Sequence, residues 1–198
     1  MISDLENGSD WYFEIKKTTM NNSTSVLHGH VITDILKDDG QFPNNETLPI
    51  LVYKGSLNLH PSDEAECVVD LFHKNNWTNS WQGGIFDYQH YHSNTHEVMG
   101  VVIGRADVQL GGPEGVVIEL LRSDVIIIPA GVAHKCLFST DDFLCVGAYP
   151  EGKTFDMNYG EASERPEADE KISKVPIPST DPIYGDSGPL LDHWKSIS

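Results

Sequence analysis

Apolar residues along this chain come mostly in short runs, not at helical spacing. Val98 to Ile103 and Val125 to Ile128 are continuous apolar runs. Val26 to Leu36, Leu48 to Leu59, Val116 to Leu121, Val132 to Phe138 and Phe143 to Tyr149 are strand-length segments bounded by Gly, Pro, Asn and Asp. Gly-Gly-Pro-Glu-Gly separates Arg105–Leu110 from Val116–Leu121, which predicts a hairpin there. Many short strands with turns between them predict an all-β jelly-roll barrel. One segment has a helical period. From Pro61 to Asn75, the residues Ala65, Val68, Val69 and Phe72 share a face, and Pro61, Asp63, Glu64 and Glu66 suit a helix N-terminus. That face is expected against the outside of the barrel.

The two ends have a different character. Residues 1–25 read as a polar appendage with an aromatic knot and a weak strand at Trp11 to Lys17. Residues 26–150 are the expected barrel. Residues 151–198 hold a short helix near Glu167 to Lys174, then an extended tail from Val175 to Leu190 punctuated by proline and glycine. Ile177, Ile183, Tyr184, Leu190 and Leu191 are apolar enough to dock, on the barrel or on a partner subunit. A homodimer is the expected assembly.

A net charge of −17 argues against nucleic acid and anionic membranes as partners, because both are bound through Lys and Arg. No apolar run approaches the roughly 20 residues of a membrane span. The opening MISDLENGSD has no apolar leader segment, so a cytoplasmic protein is expected. The three cysteines, an odd number, make no disulfide framework. If Ser139–Asp142 is a hairpin loop of even length, Cys136 opposes Cys145 and His134 opposes Gly147, with both thiols reduced and facing inward.

The candidate chemistry lies between Gly84 and Gly104. His90 and His92 are two residues apart and share a face of any β-strand. A polar turn follows, and Glu97 begins the next apolar run. A four-residue hairpin loop would set His92 opposite Glu97 and His90 opposite Met99. Two imidazoles and a carboxylate suit a divalent first-row metal. Downstream, an apolar strand, a Pro-Ala-Gly turn and a second strand carry His134. His28 and His30 repeat the alternate spacing without a third ligand and read as an exposed strand. His96 reads as a loop histidine.

Together these residues resemble the cupin superfamily. Gly84, His90, His92, Glu97 and Gly104 match every fixed position of its first motif, and Pro129, Gly131 and His134 match the second. Ser123 stands where that motif has glycine, and Phe138 where it has asparagine. FPNNETLPILVYKG, HYHSNTHEV, DDFLCVGAYP and VPIPSTDPIYG also resemble uncharacterised bacterial single-domain cupins of the YjlB type. The resemblance implies a double-stranded β-helix. It also implies one divalent transition metal per chain (Fe, Mn, Ni or Zn) on His90, His92, Glu97 and His134.

Strand parity then places Phe86, Tyr88, Met99, Val101, Ile103, Phe138 and Gly147 on the inner face, a mostly apolar pocket for a small molecule. Tyr88 is the one nearby donor on these strands, and Glu97 or a metal-bound water the base. Trp77 and Trp81 read as packing anchors. No Lys or Arg faces inward near the metal, which disfavours a phosphosugar substrate. Three classes stay open: a metalloenzyme of oxygenase or isomerase type, a non-catalytic binder or sensor, and a structural barrel with a stabilising metal.

Overall fold

The structure, a computed structural model, describes residues 25–26, 30–59 and 64–195. The N-terminal appendage with its Trp11–Lys17 strand, His28, and the Pro61 and Asp63 start of the helix lie outside the described residues. In chain order the described strands are β1 (Ser25–Val26), β2 (Val31–Leu36), β3 (Asn45–Tyr53), β4 (Leu57–Asn58), β5 (Trp77–Gly83) and β6 (Glu97–Ile103). Then come β7 (Arg105–Leu110), β8 (Val116–Leu121), β9 (Val125–Ile128), β10 (His134–Ser139) and β11 (Leu144–Pro150). Helix α1 spans Glu64–Lys74, α2 spans Glu167–Ile172 and α3 spans Pro189–His193.

The strands form an all-β jelly roll. A six-stranded antiparallel sheet, ordered β2-β3-β9-β6-β11-β5, faces a three-stranded sheet ordered β10-β7-β8. The inner core between them takes Ile50 and Val52 from β3, Met99 and Val101 from β6, Ile126 and Ile128 from β9, and Val108 and Leu120 from the opposite sheet. The six-stranded sheet is covered on its other face as well. Leu51, Tyr53, Val98, Val125, Ile127 and Val146 pack there against Val68, Leu71 and Phe72 of α1 and against the tail. This double burial is why β6 and β9 are continuous apolar runs, whereas β7 and β8 alternate. Gly100 faces α1. A Cβ there would stand 3.2 Å from both Phe72 and Val68, so the glycine allows the helix to approach.

The tail docks on its own barrel. Ile183, Leu190 and Trp194 are buried in the outer core, and Trp194 Nε1 donates to the carbonyl of Pro49 at 2.8 Å. The buried Asp181 carboxylate accepts from Tyr53 Oη at 2.7 Å and from the backbone amides of Ile183, Tyr184 and Leu190. The tail is extended only as far as Gly188; α3 then begins with proline at its first turn. Among the described residues, no helix is long and apolar enough to cross a membrane.

The chain changes sheets at the corners, and there the hairpin expected across Ser139–Asp142 gives way. β10 pairs with β7, and β11 pairs with β5 and β6, so β10 and β11 lie in different sheets. Cys136 opposes Val108, and Cys145 opposes Val101 on one side and Gly83 on the other. The two cysteines are therefore not cross-strand neighbours, and Gly147 does not oppose His134. Thr140 forms the corner: its amide donates to Arg105 O, and its hydroxyl accepts from Arg105 N. Parity fixes which way a side chain faces, but a four-residue connection can be a corner as easily as a hairpin.

Ser123, in the turn between β8 and β9, has φ of 78°. A side chain in this left-handed region costs roughly 1–2 kcal/mol relative to glycine. Ser123→Gly is therefore expected to stabilise the fold by about 1 kcal/mol, net of the extra unfolded-state entropy of glycine. The urea midpoint should rise at unchanged slope; a midpoint unchanged or lowered would show that the turn carries no strain.

Candidate metal centre

Three histidines and a glutamate meet at one end of the inner core. His134 opens β10 and Glu97 opens β6, while His90 and His92 lie on an irregular segment just before β6. That segment is not the partner of β6. His90 instead forms an antiparallel bridge with His134: its amide donates to His134 O at 3.2 Å, and the amide of His134 returns a bond to His90 O at 2.9 Å. The flanking Tyr91 bridges Asn158. The expected pairings of His92 with Glu97 and of His90 with Met99 are thus replaced. β6 takes β9 and β11 as its two neighbours, which leaves no free edge for a hairpin with His90–His92.

The convergence comes about through this other route. His90, His92 and His134 are all buried, and one ring nitrogen of each lies within 4.8 Å of the others. Every Nδ1 is committed to a backbone carbonyl: His90 to Tyr88 O at 3.2 Å, His92 to Asp156 O at 2.6 Å, and His134 to Val132 O at 3.1 Å. Donation from Nδ1 leaves each Nε2 facing into the cluster, where it can carry a proton toward Glu97 or, once deprotonated, offer a lone pair to a cation. Glu97 Oε2 lies 3.5 Å from His92 Nε2 and 3.3 Å from His134 Nε2. Two ligands about 2.1 Å from one ion and at right angles are separated by roughly 3 Å. The three histidines have the donor type and spacing to hold a metal ion, and Glu97 stands beside two of them.

Burial, followed by the adjacent His134, pushes the His90 imidazole down to about 3, so it is neutral at ordinary pH. Burial by itself would raise Glu97, but the bonds from His134 and His92 outweigh it and hold the carboxylate well below its usual range. Burial opposes charge on His92 too, and Glu97 outweighs it and raises that imidazole. In the protein alone the Glu97 carboxylate is thus held by its contacts with His92 and His134, and a bound cation would take over that role.

The remaining oxygen of Glu97 is held by a residue that strand parity could have supplied. Tyr149 Oη donates to Glu97 Oε1 at 2.7 Å, and Trp81 Nε1 donates to Tyr149 Oη at 3.0 Å. Tyr149 shares the inward parity of Cys145 and Gly147 on β11. Tyr88, the expected donor, is 41% exposed and stacks on Phe86 with centroids 4.9 Å apart. Its main-chain carbonyl positions His90; its hydroxyl is not on the cavity wall.

A cavity of about 350 Å³ opens beside the cluster, walled by Trp81, Ile85, Phe86, Met99, Phe155 and Met157, with Tyr149 and the four clustered residues at one side. Phe86 and Met99 stand where parity placed them. Val101 is buried deeper, within the inner core. Ile103 and Phe138 are exposed. A register shift between Cys136 and Phe138 inserts one residue and turns Phe138 outward, under the guanidinium of Arg105. Gly147 faces inward, but the Trp81 ring covers it and forms the wall in its stead. Phe155 and Met157 come from the segment after the barrel, which is strapped down where Asp156 accepts from the amide and hydroxyl of Ser93. No pattern in the sequence marks that strap. His96 lies in the loop before β6, as expected, and is buried there: its Nδ1 accepts from Ala130 N at 2.9 Å, and its ring packs on Trp194.

No family model matches the chain. It is 43% identical over 162 residues to the uncharacterised protein YjlB of Bacillus subtilis, an alignment covering 82% of this chain and 95% of that protein. Similar solved structures include acireductone dioxygenase from Bacillus anthracis with a cadmium ion in its active centre. That match is 13% identical and covers 65% of this chain and 83% of the other, with a TM-score of 0.37. An uncharacterised double-stranded β-helix protein from Klebsiella pneumoniae is 16% identical over 62% of this chain and 89% of its own, with a TM-score of 0.32.

A Cβ on Gly147 would lie 2.1 Å from the Trp81 indole, so even alanine must displace the ring. Gly147→Ala is expected to cost about 1–3 kcal/mol through overpacking and to shift tryptophan emission. Urea unfolding and fluorescence check this; wild-type stability with unaltered emission would contradict the packing.

Proposed function

The chain belongs to the YjlB family of cupins, and on that premise we propose that it is a metalloenzyme acting on a small organic molecule at this cavity. One divalent first-row transition ion would be held by His90, His92, His134 and Glu97. The observation that carries the reading is the commitment of all three Nδ1 atoms to carbonyls, which turns three buried Nε2 atoms toward one another, with a Glu97 oxygen beside two of them. Such an arrangement is costly to bury without a cation. The four residues also lie on the cavity wall, so one side of the cluster faces room for a ligand. A purely structural ion would be closed off by protein.

When bound, such an ion supplies Lewis acidity and positions for oxygen donors or O2, which suits oxygenase or isomerase chemistry. The chain's own residues have separable tasks. Tyr149 holds Glu97 by one oxygen and leaves the other for the cluster, with Trp81 steadying the phenol. Asp156 fixes the His92 ring through its carbonyl, and the same strap closes the cavity with Phe155 and Met157. The apolar wall excludes water and strengthens every charge interaction at the cluster. The alternative, a non-catalytic binder or sensor, uses the same cavity and is separated by turnover.

Elemental analysis of the native protein should find about one first-row transition ion per chain. His92→Ala should lower bound metal at least about tenfold, and Tyr149→Phe should weaken affinity by about 10–100-fold while leaving the stoichiometry reachable at high metal. Native protein that carries no such ion and takes up none of Fe, Mn, Ni or Zn at micromolar concentration would refute the site. O2 uptake on a panel of enediols, phenols and thiols tests for turnover.

A further inference from the structure

The wall of the cavity also restricts what can enter it. Trp81, Ile85, Phe86, Met99, Phe155 and Met157 provide its body, and neither Lys nor Arg is among the described residues lining it. Among the described residues, the ionisable groups on the wall are the clustered histidines, Glu97 and the Tyr149 phenol. A second charge on a ligand would therefore be desolvated with no partner. At about 350 Å³ the cavity is at the small end for organic ligands.

Two phenylalanines flank the cluster. Phe86 meets the His90 ring edge-on at 5.4 Å, and Phe155 lies 4.8 Å from His92 and 4.9 Å from Tyr149. Both keep large exposed surfaces, 51% for Phe86 and 36% for Phe155. Aromatic faces left open at a cavity are covered most favourably by a flat apolar body, which gains both burial and ring contacts. The cluster itself sets the head group. A divalent ion beside one carboxylate carries an excess of one positive charge, which a single ionised oxygen would neutralise.

We propose that the ligand of this cavity is a small, flat, apolar molecule with one weakly acidic oxygen, a phenol or an enol, and no other charge. Phe86 and Phe155 hold its body and the histidine–glutamate cluster receives its oxygen. The head-group part rests on the metal reading above; the preference for an uncharged body rests on the wall alone.

The test is calorimetric titration of the whole protein, metal-loaded and chelator-treated, with 4-ethylphenol, 4-hydroxybenzoate and phenyl phosphate. The metal-loaded protein should bind 4-ethylphenol at least about tenfold more tightly than either charged compound. Removing metal should weaken all binding and leave that order intact. Phe155→Lys should narrow or invert the preference by giving the carboxylate a partner. Equal affinities, preference for a charged compound, or no binding of 4-ethylphenol to either preparation would overturn the proposal. Preference for 4-ethylphenol in a protein that takes up no metal would instead refute the metal centre and leave the uncharged-body preference standing.

Discussion

Burial of the six-stranded sheet on both faces is the constraint from which the rest of this structure follows. Each central strand must supply apolar side chains at every position. Val125 and Ile127 serve the outer core beneath α1 and the tail, while Ile126 and Ile128 serve the inner core between the sheets. A helix on only part of the outer face would leave apolar strand surface in water, at about 25 cal/mol per Å². The tail completes the cover, which is why Trp194 and Leu190 are buried though they lie far from the barrel in sequence. The satisfied carboxylate of Asp181 holds that cover by accepting from both the barrel and the tail.

With apolar residues filling both cores, the three histidines and Glu97 gather at one end of the inner core. Glu97 and His134 each sit at the first position of a strand, where the ladder is just beginning. His90 lies opposite His134 through a single bridge rather than a full strand pairing. Main-chain carbonyls that a regular ladder would use are therefore free to take the imidazole Nδ1 protons. The irregular backbone sets the tautomers, and the tautomers make the cluster a coherent set of donors.

Much of this was legible in the residues. The apolar runs at Val98–Ile103 and Val125–Ile128, the turn-bounded segments and the hairpin of β7 with β8 all follow from local pattern. So does the helical face of Val68 and Phe72, because side-chain periodicity is a local property of the backbone. The alternate spacing of His90 and His92 placed both on one side, and it held although the segment is not a regular strand. The inward face of Tyr149 is legible in its parity with Gly147 on β11.

Pairing was beyond reach of the residues alone. Strand parity says which face a side chain takes, but whether a short polar connection is a hairpin or a corner depends on which edge another strand already occupies. β6 has β9 and β11 at its two edges, so His90–His92 had to pair elsewhere; β10 is held by β7, so Cys136 and Cys145 part company. The inserted residue before Phe138 and the strap of Phe155, Asp156 and Met157 arise the same way. Each is set by contacts between segments far apart in the chain. Composition and spacing identify the metal-ligating residue types; competition among distant strands for hydrogen-bonding edges settles how they meet and what walls the space beside them.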